Sequence, residues 1–102
     1  MILRKFIIDP ACGDGAFLKE IITRYILQAK QKTLSQKEIV KNIETYIYGF
    51  EIDQEAYLQC IKNLNNIVCQ LLNYNGTLNW KIFHADTLHI HQQYLNHFDF
   101  VV

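Results

Sequence analysis

The sequence predicts an α/β domain in which a partial parallel sheet is flanked by helices. Three observations carry this. Four runs rich in apolar and aromatic residues, Phe6-Ile7-Ile8, Tyr46 to Glu51, Trp80 to Phe83 and Phe98 to Val102, are each short enough to be a buried strand. The stretches between the first three are longer and place their apolar residues at helical spacing. Strands that alternate with helices build a parallel sheet with helices on its faces. The 102 residues are one domain or part of one, and with half of them apolar and 20% charged they can bury a modest core.

Taken in order, the first run ends at Asp9-Pro10, and Ala11-Cys12-Gly13-Asp14-Gly15 is a small-residue turn. A helix starts near Ala16, with Leu18, Ile21, Ile22, Tyr25, Ile26 and Ala29 along one side. Lys30 to Ser35 reads as a solvated connection. Ser35 followed by Glu38 is a capping box that opens a second helix through Ile39, Val40 and Ile43. After the second strand, Asp53 is placed to cap a long helix carrying Tyr57, Ile61, Leu64, Val68 and Leu71. Asn73 to Gly76 ends that helix. The alternating aromatic pairs Tyr46/Tyr48 and Phe98/Phe100 belong to the core or to a sheet face.

Composition excludes several classes. No apolar run reaches the length of about 18 residues that crosses a membrane. Asp9 and Pro10 interrupt the N-terminal apolar stretch, against a signal peptide. Cys12, Cys60 and Cys69 are an odd set without a CxxC spacing, which argues for a reducing cytoplasm over a disulfide framework or zinc ribbon. His89, His91 and His97 lack acidic or cysteine partners, so no metal site is assigned. Ten basic and ten acidic residues cancel. A stand-alone nucleic-acid binder normally carries a basic excess, so any grip on DNA phosphates must come largely from elsewhere. The basic residues from Lys30 to Lys41 read as a solvated face on the far side from the strand ends.

In an open parallel sheet, ligands bind at the carboxyl ends of the strands. Those ends offer Asp9 to Gly15, Glu51 to Asp53, and His84 to Thr87. Gly13 and Gly15 allow a ligand close to the backbone. Asp14 stands where a phosphate would otherwise be received, which favours a cationic or zwitterionic ligand over an anion. Glu51 suits a ribose diol and Asp86 an exocyclic amine. An adenosine carrying an amino acid and a positive sulfur satisfies all three.

Asp9-Pro10-Ala11-Cys12-Gly13-Asp14-Gly15-Ala16-Phe17-Leu18 closely resembles the cofactor loop of N6-adenine DNA methyltransferases of restriction–modification systems. Asp14 stands where that family commonly has Ser. Tyr48-Gly49-Phe50-Glu51-Ile52-Asp53 resembles the second motif, His84-Ala85-Asp86-Thr87-Leu88 the third, and Phe98 to Val102 the strand leading into the fourth. The resemblance implies a Rossmann-like fold and S-adenosyl-L-methionine as cofactor. It would place Asp9, Pro10, Ala11, Cys12, Gly13 and Gly15 at the methionine end, Glu51 on the ribose and Ile52 on the adenine ring. Asp86 would accept from the adenine amine, and the Thr87 backbone would reach the neighbouring ring nitrogen. Phe17 is expected to pack under the loop. Cys12 is read as a small packing residue and not a nucleophile, and Cys60 and Cys69 as core or interface filler.

The family's Asn-Pro-Pro-Tyr or Asp-Pro-Pro-Tyr segment, which holds the flipped adenine, does not occur in residues 1–102. The chain therefore reads as the N-terminal part of a catalytic domain, without catalytic residues and inactive alone, with DNA reached through other segments or a partner chain. A sheet edge left open by Val101-Val102 would also permit self-association. Alternatives are the cofactor-binding part of an RNA or protein-glutamine methyltransferase, and a non-catalytic split-gene subunit. A nucleotide-dependent dehydrogenase is disfavoured, since Leu18 replaces the third glycine of the Gly13-x-Gly15 pattern.

Overall fold

The computed structural model describes residues 4–85 and 92–101. Strand β1 (Ile7–Asp9) leads through the glycine turn into α1 (Ala16–Gln31), then α2 (Gln36–Tyr46), β2 (Ile47–Glu51), α3 (Gln54–Leu72) and β3 (Lys81–His84). A short helix α4 (Gln92–Leu95) precedes β4 (Phe100–Val101). The four strands form one sheet in the order β3-β2-β1-β4, and every pairing is parallel. The α/β expectation holds, with strand boundaries moved by one or two residues. Tyr46 ends α2 and does not begin β2, because the helix runs directly into the strand without a loop.

Local chemistry sets the helix ends. Ser35 and Glu38 form the reciprocal capping box of α2, and the Asp53 carboxylate accepts the Ala56 N–H at 2.8 Å to start α3. The far end of α3 stops at Asn73, which takes the left-handed conformation. Two of its last carbonyls are satisfied across the fold: Lys30 Nζ donates to the Leu71 carbonyl at 2.6 Å and Gln36 Nε2 to that of Leu72 at 2.6 Å. Lys30 is thus the basic residue of the last turn of α1 and docks on α3, while Lys32, Lys37 and Lys41 lie exposed.

The core lies between the helices and one face of the sheet. Leu18, Ile22, Tyr25, Ile26 and Ala29 of α1 are buried with Ile39, Val40 and Ile43 of α2 and Cys60, Leu64, Ile67, Val68 and Leu72 of α3. Ile47 and Ile82 join this cluster from the sheet. Gly49 lies between them, and a Cβ there would meet Leu18 at 3.1 Å and the Cys12 sulfur at 3.3 Å. The absence of a side chain lets the β1–α1 turn settle onto β2. The alternate residues face the other way: Tyr48 and Phe50 make ring contacts with Phe6, Phe83, Tyr94 and Phe98. Of the pairs Tyr46/Tyr48 and Phe98/Phe100, read as core or sheet face, Tyr48 and the 48% exposed Phe100 are strand residues. Tyr46 ends α2 and Phe98 precedes β4, both with their rings against Phe6.

The chain steps outward from β1 to β2 and β3, and returns with β4 on the other side of β1. A crevice opens at the carboxyl end of a parallel sheet where the strand order reverses in this way. Asp9 ends the strand beside that reversal.

Candidate functional site

The carboxyl ends of β1, β2 and β3 bring Asp9, Glu51 and His84 to one edge of the sheet. Asp9 is 6% exposed, and its Oδ1 accepts the Ala11 N–H at 3.1 Å, which turns the chain out of the strand. Burial raises the Asp9 pKa above its ordinary value. The Ala11 N–H works in the opposite direction, and the nearby negative charge of Glu51 adds to the rise.

Glu51 organises the turn. Its Oε1 accepts the Gly13 N–H at 2.8 Å and its Oε2 the Asp53 N–H at 2.9 Å, so one carboxylate spans the β1–α1 and β2–α3 turns. The Cys12 N–H donates to the Phe50 carbonyl at 2.9 Å, one residue before Glu51. Gly13 and Gly15 have φ of 55° and 87°, the left-handed region that a side chain disfavours. Asp14 Oδ1 accepts the Ala16 N–H at 3.2 Å and occupies a donor at the start of α1. This bond gives a structural reason why the helix start, otherwise an anion site, does not present itself to a phosphate.

Helix α3 closes the turn from beneath. Asn63 Nδ2 donates to the Asp14 carbonyl at 2.9 Å, and Gln59 Nε2 donates to Asn63 Oδ1 at 2.8 Å. The sulfurs of Cys12 and Cys60 lie 3.9 Å apart, both buried. Contact with Cys60, together with burial, pushes the Cys12 thiol well up, so Cys12 is a packing residue and a poor nucleophile.

The structure therefore gathers Asp9, Pro10, Ala11, Cys12, Gly13 and Gly15 into one turn, with Glu51 bonded to it and Ile52 next in the chain. Ile52 is 62% exposed and presents an apolar surface at the same edge. Asp86 and Thr87, expected at the adenine edge, lie outside the described residues, as do His89 and His91.

Two expectations are corrected. Phe17 does not pack under the turn; it is 51% exposed. On α1 it shares a flank with Glu20 and Arg24, which form an exposed ion pair at 2.9 Å, and not with buried Leu18 and Ile22. Cys69 is likewise exposed, on the flank of α3 that carries Lys62 and Asn66, and so fills no core position. Cys60 does. Asn63, which the sequence did not single out, belongs to the site region, as do Cys60, read as filler, and His84, read only as part of the third motif. Cys60 and Asn63, three residues apart on one helix, share a face, and that spacing was the available signal.

The chain is an α/β protein with an open parallel sheet, and a glycine turn and two carboxylates meet at its strand ends, where ligands of such sheets bind. The chain belongs to the N-6 DNA methylase family: the family's model matches residues 3–102. It is 36% identical over 59 residues to the Type II restriction enzyme and methyltransferase RM.BcgI of Heyndrickxia coagulans, an alignment covering 58% of this chain and 9% of that protein.

Solved structures share the fold. The ATP-dependent Type ISP restriction-modification enzyme LlaBIII bound to DNA superposes with a TM-score of 0.68 at 20% identity, over 80% of this chain and 6% of that one. The DrdV–DNA complex gives 0.63 at 21% identity, over 83% and 7%. A nuclease-deletion mutant of the Type ISP restriction-modification enzyme LlaGI, in complex with a DNA substrate mimic, gives 0.60 at 19%, over 72% and 6%. The present chain thus spans less than a tenth of the length of these relatives. No helix among the described residues is long and apolar enough to cross a membrane.

Proposed function

We propose that residues 1–102 are the S-adenosylmethionine-binding part of a site-specific DNA methyltransferase that acts on adenine N6 in a restriction–modification system. The observation that carries this is the Glu51 carboxylate bridging the glycine turn and the β2–α3 turn, in a chain of the N-6 DNA methylase family. The restriction–modification setting and DNA as the partner draw support from RM.BcgI and from the fold neighbours DrdV and LlaBIII, solved in complex with DNA. On this reading the sheet and its helices are a Rossmann-like methyltransferase fold, which the order β3-β2-β1-β4 supports.

The residues present fit this cofactor. Each Glu51 oxygen receives one N–H, which leaves acceptor capacity on both for a ribose diol. Apart from Gly13 itself and its chain neighbours, no atom lies within 4 Å of the position a Cβ on left-handed Gly13 would occupy, which leaves room for a ligand directly against the backbone there. Asp9 and Glu51 keep the edge negative, which suits a ligand bearing an ammonium and a sulfonium. Exposed Ile52 offers the adenine ring an apolar contact; the roles that the family resemblance implies for Asp86 and Thr87 fall on residues outside the described ones.

S-Adenosylmethionine supplies an electrophilic methyl group to the amine of a base turned out of the duplex. This chain's residues bind and orient: Asp9 and residues 11–15 hold the amino-acid end, and Glu51 fixes the ribose so that the reactive end has one position. Pro10 is the single proline of the sequence, so no Pro-Pro pair is present to build the amine-accepting segment. That task falls to residues outside 1–102, and methyl incorporation into DNA by these residues alone is not expected.

Calorimetric titration of the chain with S-adenosylmethionine, with NAD as a control ligand, tests the reading. Saturable binding of the first, lost in Glu51→Ala, is the expected result. A folded chain that gives no heat, or binds NAD equally well, overturns it.

A further inference from the structure

The β2–α3 turn, which carries Ile52, is braced from β3 as well as from Glu51. The Ala85 N–H donates to the Glu51 carbonyl at 3.0 Å, and His84 Nε2 lies 2.8 Å from the Ile52 carbonyl. A carbonyl oxygen only accepts, so Nε2 carries the proton in this bond. The imidazole is held in place by Tyr57 of α3, its ring stacked at a centroid separation of 5.6 Å and an interplanar angle of 26°. Two successive carbonyls of one turn are thus tied to the end of the neighbouring strand, and one of the ties is a side chain whose orientation an aromatic ring fixes. His84 is exposed and lies outside the buried core, so the brace adds little to the packing of the fold.

We infer that His84 is a positioning residue for the adenosine end of the ligand: it sets the backbone at Ile52 so that this side chain stands clear of the fold as the floor on which the base lies. Tyr57 serves the same purpose at one remove, by keeping the imidazole edge turned toward the carbonyl. The inference rests on the cofactor reading above and extends it to two residues that touch no part of the ligand themselves. A preorganised turn binds its ligand without first being ordered, and this is the source of the affinity that His84 contributes.

The test is calorimetric titration of the chain with S-adenosylhomocysteine and, separately, with adenosine. Wild type is compared with His84→Ala, His84→Gln and Glu51→Ala, with thermal melts confirming that each variant is folded. Gln carries an N–H donor the same number of bonds from Cα as His Nε2. His84→Ala is expected to weaken both ligands by about tenfold, which corresponds to about 1.4 kcal/mol, with little change in melting temperature. His84→Gln is expected to recover most of that loss. Unchanged affinity in His84→Ala, or a loss that Gln does not recover, overturns the role of His84 while Glu51→Ala still reports on the cofactor site. Absence of binding by the folded wild-type chain overturns the cofactor reading, and the role of His84 falls with it.

Discussion

Gly13 and Glu51, on different turns and 38 residues apart, are joined by one hydrogen bond of 2.8 Å from backbone N–H to carboxylate. The other carboxylate oxygen takes the Asp53 N–H, so the side chain ties the start of α1's turn to the start of α3. A carboxylate that satisfies two backbone donors contributes to the fold before any ligand arrives. Glu51→Ala is therefore expected to lower stability by about 1–3 kcal/mol, since it leaves two donors without their acceptor. Urea denaturation with an unchanged m-value would measure this. Glu51→Gln, which keeps one acceptor oxygen, should fall between the two.

The two turn glycines separate conformation from crowding. A Cβ at Gly13 meets nothing within 4 Å, whereas one at Gly15 would lie 2.8 Å from the Cys60 sulfur. Both residues are left-handed. Gly13→Ala should cost about 1–2 kcal/mol for the backbone alone. Gly15→Ala should cost more, and pairing it with Cys60→Ala should return part of the difference. A double-mutant cycle without coupling would contradict the close approach of the turn to α3.

Asp9 makes stability depend on pH with a definite sign. Folding raises its pKa above the ordinary 3.8, so the folded chain holds this proton more tightly than the unfolded chain does. Its contribution to stability therefore falls as pH rises from 3.8 through the raised value, and the loss is complete above that. Asp9→Asn keeps an oxygen for the Ala11 N–H and removes the titration. The variant should be more stable than the parent near neutral pH, with the gain shrinking toward acid, while on the proposed reading it loses cofactor affinity. Thermal melts across pH would decide the first point.

The three thiols should differ in reactivity. Cys69 is exposed, while Cys12 and Cys60 are buried against each other. One thiol is expected to react promptly with a disulfide reagent in the native chain and the other two only after unfolding. Three prompt thiols would mean that the turn opens readily from α3.

The helix starts, the glycine turn and the strand-ending acids were legible in the sequence because neighbouring residues encode them. Ser35 caps with Glu38 three residues on, Asp53 with Ala56, and Asp9 turns the chain through Ala11. The resemblance of residues 9–18 to a methyltransferase loop pointed to the family that the wider match of residues 3–102 bears out. Helical phase also encodes the exposure of Phe17 and Cys69, whose flanks carry charged or amide residues.

What only the tertiary structure decided is which distant groups meet. Glu51 finds Gly13, Asn63 finds Asp14 at a separation of 49 residues, and His84 finds Ile52 at 32. Together these contacts require β2 to lie between β1 and β3, with α3 packed against the β1–α1 turn. Local sequence chooses strands and caps through bonds spanning a few residues. The order in which strands assemble follows from burying the apolar faces of α1, α2 and α3 together, a sum over the whole chain that no single segment contains.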